Sequence, residues 1–364
     1  MRVRPPPSAS GKFSAGRARL KIVWEQSHGG STPLPGIMAK TYHIITFGCQ
    51  ANLADSERIA RKLEMSGYKM ATKPENADLI VLNACSVRQS ATNRIYGKIR
   101  NLKNKKIIIA GCVLKEDKKK LLVKDKKIEF WHPDEYFDLV PISSGASTAY
   151  IPIMTGCDNF CTYCAVPYTR GREHSRPVED IVKDVKRVIK NKCKEIWLLG
   201  QNVNSYKYNF PKLLEIINDI PGDFLIHFMS SHPKDFSDKL IKTISESKKV
   251  SREIHLPVQS GDNAVLKKMN RKYSVSHYKN LIKKIRKAVP DIRISTDVIV
   301  GFPGETEKQF QNTVKLFKKL KFSKAYIGKY SSRPGTPSAK MKDNVPIEEK
   351  KRRWEILNEI ANTK

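Results

Sequence analysis

An α/β fold in two parts is what this 364-residue chain predicts: a small parallel-sheet domain followed by an incomplete TIM-like (βα)6 barrel. Three observations predict it. Apolar runs of strand length alternate with helical periodicity from residue 42 onward, which selects parallel sheets joined by helices. Six strand-and-helix units follow residue 150 without a return to hairpins, two short of a closed eight-stranded barrel. Thiol and polar side chains stand directly after the strands, where open parallel sheets and barrels gather their ligands.

Residues 1–37 carry Arg2, Arg4, three consecutive prolines and a single acidic residue, Glu25, with little apolar periodicity. The composition predicts a disordered or non-native extension, an organellar transit peptide being the alternative reading. A small domain is expected over 38–142, with strands at 42–47, 79–82 and 107–110 and helices at 56–66 and 91–102. Each strand runs into a cysteine: Gly48-Cys49, Ala84-Cys85 and Gly111-Cys112. A lone Cys after a strand is ordinarily a small buried hydrophobe, but three repeats of the placement would bring three thiols to one sheet edge. A Lys-rich stretch at 115–127 and a Ser/Gly linker at 143–149 lead to the barrel, residues 150–335. Its strands are expected at 150–154, 195–199, 224–229, 252–256, 293–300 and 324–329. A terminal helix over 346–362 lies within the last segment, 336–364.

The loop leaving the first barrel strand reads Gly-Cys-Asp-Asn-Phe-Cys-Thr-Tyr-Cys and carries Cys157, Cys161 and Cys164. Structural zinc takes four protein ligands, and no fourth Cys or His follows at a suitable spacing. An iron-sulfur cubane accepts cysteines from one loop, and three of them leave one iron open to another ligand. Further along, Gln201, Asn202, the Ser230-Ser231-His232-Pro233 turn, Gln259 and Thr296 put amides and hydroxyls at strand ends. Taken locally each is also an ordinary loop cap; together they suit a nucleoside-bearing cofactor. His227, His232 and His255 are expected to be solvated or hydrogen-bonded rather than metal-bound, and Cys193 to be structural.

Lys plus Arg number 68 against 36 Asp plus Glu, a net charge of +32. That favours a polyanionic partner such as nucleic acid, although lysines spread over every exposed helix face account for part of it. Seven cysteines in so long a chain fit metal ligation in a reducing, cytoplasmic setting better than a disulfide framework. No apolar run approaches the roughly 18 residues of a membrane span.

The Cys-x-x-x-Cys-x-aromatic-Cys loop resembles the signature of radical S-adenosylmethionine (SAM) enzymes. Its continuation to Pro177, the run Gly200-Gln-Asn-Val-Asn-Ser-Tyr206, Phe302-Pro-Gly-Glu-Thr306 and Gly48-Cys-Gln-Ala-Asn52 are similar to the MiaB-type methylthiotransferases. Ala51 and Ala84 replace larger or hydroxylated residues common there, and the span between Cys112 and Tyr150 is short for the family. The resemblance implies two 4Fe-4S clusters, one on Cys157, Cys161 and Cys164 with SAM on its open iron, and an auxiliary one on Cys49, Cys85 and Cys112. It implies Tyr163 against the adenine of SAM, with Gln201, Asn202, Gln259 and Thr296 as further SAM contacts. The implied substrate is tRNA carrying N6-isopentenyladenosine beside the anticodon. A monomer reduced by flavodoxin or ferredoxin is expected; the β-rich TRAM domain usual in the family is expected either to lie beyond a truncation or to be replaced in RNA binding by the basic faces of the two domains. Aspartate of a ribosomal protein or threonylcarbamoyl-adenosine are the neighbouring substrates left open; a non-catalytic iron-sulfur RNA-binding or electron-transfer protein is the reading from another class.

Overall fold

A computed structural model describes residues 40–85, 89–102, 105–124, 127–141 and 147–362; the expected extension at 1–37 lies outside them. Ala39–Lys364 form one compact unit.

The small domain runs β1 (Thr41–Thr46), α1 (Gln50–Met65), β2 (Lys69–Met70), β3 (Leu79–Cys85), α2 (Gln89–Arg100), β4 (Lys106–Cys112), α3 (Lys115–Lys124) and β5 (Glu129–Phe130). Its strands form a parallel sheet in the order β2-β1-β3-β4-β5. β3 is buried along its whole length, as expected of a central strand covered on both faces. Ile80, Leu82, Ile107 and Ile109 pack to one side, and Val81, Ile108, Ile59 and Leu63 to the other. The first helix departs from expectation: it begins at Gln50 rather than near residue 56. The amide of Cys49 donates to Asn52 Oδ1 at 3.3 Å, so the turn after Cys49 is already a helix N-terminus.

The second part runs β6 (Thr148–Pro152), β7 (Met154–Thr155), α4 (Val166–Thr169), β8 (His174–Ser175), α5 (Val178–Lys190), β9 (Glu195–Leu199), α6 (Phe210–Asn218), β10 (Leu225–Phe228), α7 (Asp238–Glu246), β11 (Glu253–His255), α8 (Asn263–Lys268), α9 (Val275–Ala288), β12 (Arg293–Val300), α10 (Glu307–Leu320), β13 (Lys324–Lys329) and α11 (Ile347–Asn362). Six parallel strands form two three-stranded sheets, β10-β9-β6 and β11-β12-β13. An isolated bridge from Ile226 to Val250 lies at the seam. One departure is the antiparallel pair β7–β8, Met154↔Ser175 and Thr155↔His174, where no hairpin is expected. It closes the base of the cysteine loop, and the peptide at Ile153 separates it from β6.

Burial alternates most regularly along β12. In β12 every second residue, Ile294, Thr296, Val298 and Val300, is buried while Ser295, Asp297 and Ile299 are half-buried, the period of a strand with helices on one face. The buried set joins Ile181, Val185, Leu213, Ile217, Leu240, Leu281 and Phe310 from the helices. The outer edge of β13 is covered by α11: Trp354 Nε1 donates to Ile327 O, and the Asn362 amide exchanges hydrogen bonds with both backbone groups of Ala325. Among the described residues no helix is long and apolar enough to cross a membrane.

Candidate functional site

The sheet register assembles the first thiol group. Cys85 and Cys112 are direct partners across β3 and β4. A Cβ placed on Gly48, whose φ is +133°, would overlap Asn52 Oδ1 and come within 2.9 Å of Cys85 Cβ, so the turn carrying Cys49 lies against Cys85. Two wholly buried amides hold these strand ends together. Asn52 Nδ2 donates to Asn83 Oδ1 and Ala84 O, while Asn83 Nδ2 donates to Asn52 O at 2.7 Å and to Ser56 Oγ. Losing the Asn52 side chain would leave Asn83 Oδ1 without its donor in the interior. Cys49 is exposed; Cys85 and Cys112 are buried.

The second group is local. Cys157, Cys161 and Cys164 share one loop, with their thiols close enough to oppose one another's ionisation. Burial pushes the Cys157 thiol up to about 11 and Cys164 to about 12. Phe160 takes a left-handed φ of +46° to turn the loop, and Asn270 Nδ2 clasps it by donating to the Asn159 and Phe160 carbonyls. A Cβ on Gly156, at φ +76°, would run into the Arg172 carbonyl. Cys157 N–H donates to Gly171 O, so the loop is closed on itself.

Side chains lace the following strand ends to this loop. Ser205 Oγ donates to Glu173 Oε2, Asn202 Nδ2 to Asp235 Oδ2, and Asn204 exchanges bonds with the His232 backbone. Tyr273 donates to Val258 O, and Arg271 donates to Pro257 O and, at 3.6 Å, to Cys161 Sγ. Within this rim Gln201 Oε1, Asn202 Oδ1, Ser231 Oγ, His232 Nε2 and Gln259 Oε1 are buried with no hydrogen-bond partner. Gln259 also holds a φ of +66°, a conformation costly for a residue other than glycine. Unpartnered buried polar atoms at strand ends laced to the thiol loop fit a polar ligand held there. Burial, then Arg271 and Lys234, hold His232 down to about 2, so it faces that space neutral.

Of the expected site residues, Gln201, Asn202 and Gln259 lie on this rim. Thr296 does not offer its hydroxyl: Oγ1 donates to Leu256 O and accepts from Val258 N–H, stapling β12 to the chain after β11. Tyr163 is half-buried against Val265, Met269, Phe302 and Tyr330. Among the histidines, His255 is bonded to Ser295 and Asp297, and His227 stacks on Trp197 at 4.3 Å. Cys193 is buried with its thiol donating to Ser147 O, a structural role. Among the described residues no three His, Cys, Asp or Glu side chains converge as they would round a single ion; in a cubane each thiolate takes a different iron, so its cysteines stand further apart.

The residues missed at the level of sequence are arginines. Arg170 is 3% exposed, and its guanidinium donates to Asp55 Oδ2 at 2.5 Å and to Cys112 Sγ at 2.9 Å. Burial opposes its charge, yet Asp55 and Cys112 hold it above the usual guanidinium range. Arg271, in a Lys- and Arg-rich run with Lys267, Lys268 and Lys272, is buried against Cys161. Lys105 is likewise engaged, donating to the Glu75 and Ala77 carbonyls. The available signal was position: Arg170 follows the cysteine loop within the Tyr-Thr-Arg-Gly-Arg run.

Comparison with known proteins agrees with both parts. Residues 151–317 match the family model for the radical SAM superfamily, and residues 41–132 match that described as uncharacterized protein family UPF0004. The tRNA-2-methylthio-N(6)-dimethylallyladenosine synthase of Thermoanaerobacter pseudethanolicus is 43% identical over 88% of this chain and 78% of its own. That of Carboxydothermus hydrogenoformans is 40% identical, covering 89% and 83%, and that of Bacillus cereus 37%, covering 99% and 79%. The chain belongs to the tRNA methylthiotransferase family. It is a radical SAM enzyme, and the cofactors of this family are SAM and 4Fe-4S clusters. Among solved structures, the radical SAM methyltransferase TsrM of Kitasatospora setae superposes with a TM-score of 0.58 at 12% identity, over 83% of this chain and 77% of that one. The radical enzyme OxsB gives 0.56 at 10%, over 88% and 56%; at such identities the likeness is one of fold.

Proposed function

We propose that this methylthiotransferase places a methylthio group on carbon 2 of N6-isopentenyladenosine at position 37 of tRNA, beside the anticodon. The observation that carries the reading is the pairing of two thiol triads in one unit, one on a loop beside unpartnered polar atoms and one at the ends of three strands. Cys157, Cys161 and Cys164 would hold a 4Fe-4S cluster with one iron left for the amino and carboxylate groups of SAM. Cys49, Cys85 and Cys112 would hold the auxiliary cluster from which sulfur is delivered. Gln201, Asn202 and Gln259 would orient SAM, with Tyr163 against its adenine and Thr296 fixing the strand end behind it. Bound together, cluster and SAM would supply a 5′-deoxyadenosyl radical, the chemistry needed because an aromatic C–H offers no acidic proton to a general base. The protein's part is to bind, orient and keep water out. A rim that already excludes water from His232 and Gln259 suits that task.

The tRNA would present its adenine extruded from the anticodon loop. Phosphate contacts fall to exposed Lys267 and Lys272 beside the rim, and in the small domain to Lys119 and Lys120. A flavodoxin or ferredoxin as electron donor, a monomeric state and a cytoplasmic location complete the reading. Nucleoside mass analysis of tRNA from a strain lacking the gene tests it: loss of 2-methylthio-N6-isopentenyladenosine with accumulation of its unthiolated precursor is expected. An unchanged nucleoside profile, with a ribosomal-protein aspartate unmodified instead, would contradict it.

A further inference from the structure

Arg170 links the segment after the cysteine loop to the other thiol group. Its backbone belongs to the cysteine loop, with N–H donating to Val166 O at 2.8 Å and the next carbonyl, Gly171 O, accepting from Cys157 N–H. Its side chain crosses into the small domain, where the guanidinium meets Asp55 on α1 and the sulfur of Cys112 at the end of β4. Both charged partners are almost wholly buried.

A simple staple between two packed parts would point such a guanidinium at carboxylates and carbonyls. Arg58, on the same helix as Asp55, does so: it donates to Phe137 O and Ala54 O and pairs with Asp184. Arg170 instead spends Nε on sulfur. A thiol is a weak acceptor whereas an anionic thiolate is a strong one, so the donor is placed for Cys112 in its deprotonated, metal-bound form. Hydrogen bonds to ligand sulfurs and the buried charge around them are what set the potential of an iron-sulfur cluster.

We propose that Arg170 is a positioning residue acting through Cys112, stabilising the reduced auxiliary cluster by a hydrogen bond to its ligand sulfur and fixing that cluster against the SAM-binding loop. The inference rests on the assignment of Cys49, Cys85 and Cys112 to a second 4Fe-4S cluster. Reduction adds one electron, and so one negative charge, to the cluster; the donor beside the sulfur lowers the energy of that state. The electron comes from a low-potential carrier of the flavodoxin or ferredoxin class. Asp55 works oppositely, because its carboxylate adds negative charge to the same pocket while holding the guanidinium in place.

The test uses the full chain with Cys157, Cys161 and Cys164 replaced by Ala, so that the auxiliary cluster alone remains, reconstituted anaerobically and titrated with dithionite under EPR. Arg170→Gln is expected to move the midpoint to more negative values and Asp55→Asn to less negative ones, with Arg170→Lys between Gln and the native residue. In the otherwise native chain Arg170→Gln should lower methylthio product about tenfold, the loss of one charge-assisted hydrogen bond, and raise the ratio of 5′-deoxyadenosine to product. Should the Gln variant fail to hold iron, the Lys and Asn variants read the same two shifts. Midpoints unmoved, or moved the same way by the Arg170 and Asp55 changes, would overturn the role of Arg170. A parental protein that binds no iron would overturn the cluster assignment instead.

Discussion

The two thiol triads are built on opposite principles. Cys157, Cys161 and Cys164 arrive on one loop within eight residues, whereas Cys49, Cys85 and Cys112 come from the turn after β1 and the ends of β3 and β4, brought together because β1, β3 and β4 are neighbours in one sheet. The first needs a turn; the second needs a folded domain. Each nevertheless has a buried guanidinium on one sulfur, Arg271 on Cys161 and Arg170 on Cys112. The local triad opens onto unpartnered amides, fit for an exchangeable cofactor. The assembled triad is bounded by the fully paired Asn52 and Asn83, fit for a group that stays.

The sharpest way to separate them is to remove each in turn. Replacing Cys157, Cys161 and Cys164 with Ala should lower bound iron by about half and abolish 5′-deoxyadenosine formation from SAM. Replacing Cys49, Cys85 and Cys112 should remove the other half and end methylthio product while SAM is still cleaved. Methylthio product from the second variant would break the division of labour.

Glycines sharpen the comparison with smaller changes. Gly111→Ala forces a Cβ into Asn83 Oδ1 and the Ala84 carbonyl at φ +82°, and Gly156→Ala forces one into the Arg172 backbone at φ +76°. Each should cost about 2 kcal/mol of local stability. The first is expected to deplete iron at the auxiliary site, and the second to slow SAM cleavage with the auxiliary iron intact, both read by EPR and product analysis.

What was legible in the sequence follows the same line. The loop triad is a local pattern, and the strands expected at 195–199, 293–300 and 324–329 coincide with β9, β12 and β13, burial alternating cleanly along β12. The assembled triad was legible because each of three strands ends in or just before a Cys. Contacts that depend on two distant segments were not: Arg170 reaching Cys112, 58 residues away, and Arg271 reaching Cys161, 110 away, look in sequence like any exposed arginine. The early start of α1 was hidden for a related reason, since the Asn52 amide that caps it also serves β3.

Surface charge should matter less than either triad. Lys267 and Lys272 are exposed whereas Arg271 between them is not, so the basic surface is narrower than the sequence suggests. Changing both lysines to Gln should reduce the salt slope of tRNA binding by roughly 0.7 to 0.9 per lost phosphate contact. An unchanged slope in a filter-binding series would remove this surface from the interface.

One effect is confined to acid pH. His232 stays neutral in the folded protein but takes a proton near 6.5 when unfolded. Its contribution to stability is therefore full above pH 6.5 and is lost as pH falls toward the folded value of about 2, by up to about 1.4 kcal/mol per pH unit. Urea midpoints of His232→Asn should fall less steeply with acid than those of the native chain, and an identical acid limb would contradict the neutral buried state.

The central claim is that both triads serve one reaction on tRNA. Anaerobically reconstituted protein, given SAM, a low-potential reductant and tRNA bearing N6-isopentenyladenosine, is expected to bind about eight irons per chain and yield the 2-methylthio nucleoside together with 5′-deoxyadenosine, as read by mass spectrometry of the digested tRNA. Iron at that level with 5′-deoxyadenosine but no methylthio nucleoside, on tRNA that carries the isopentenyl group, would contradict it.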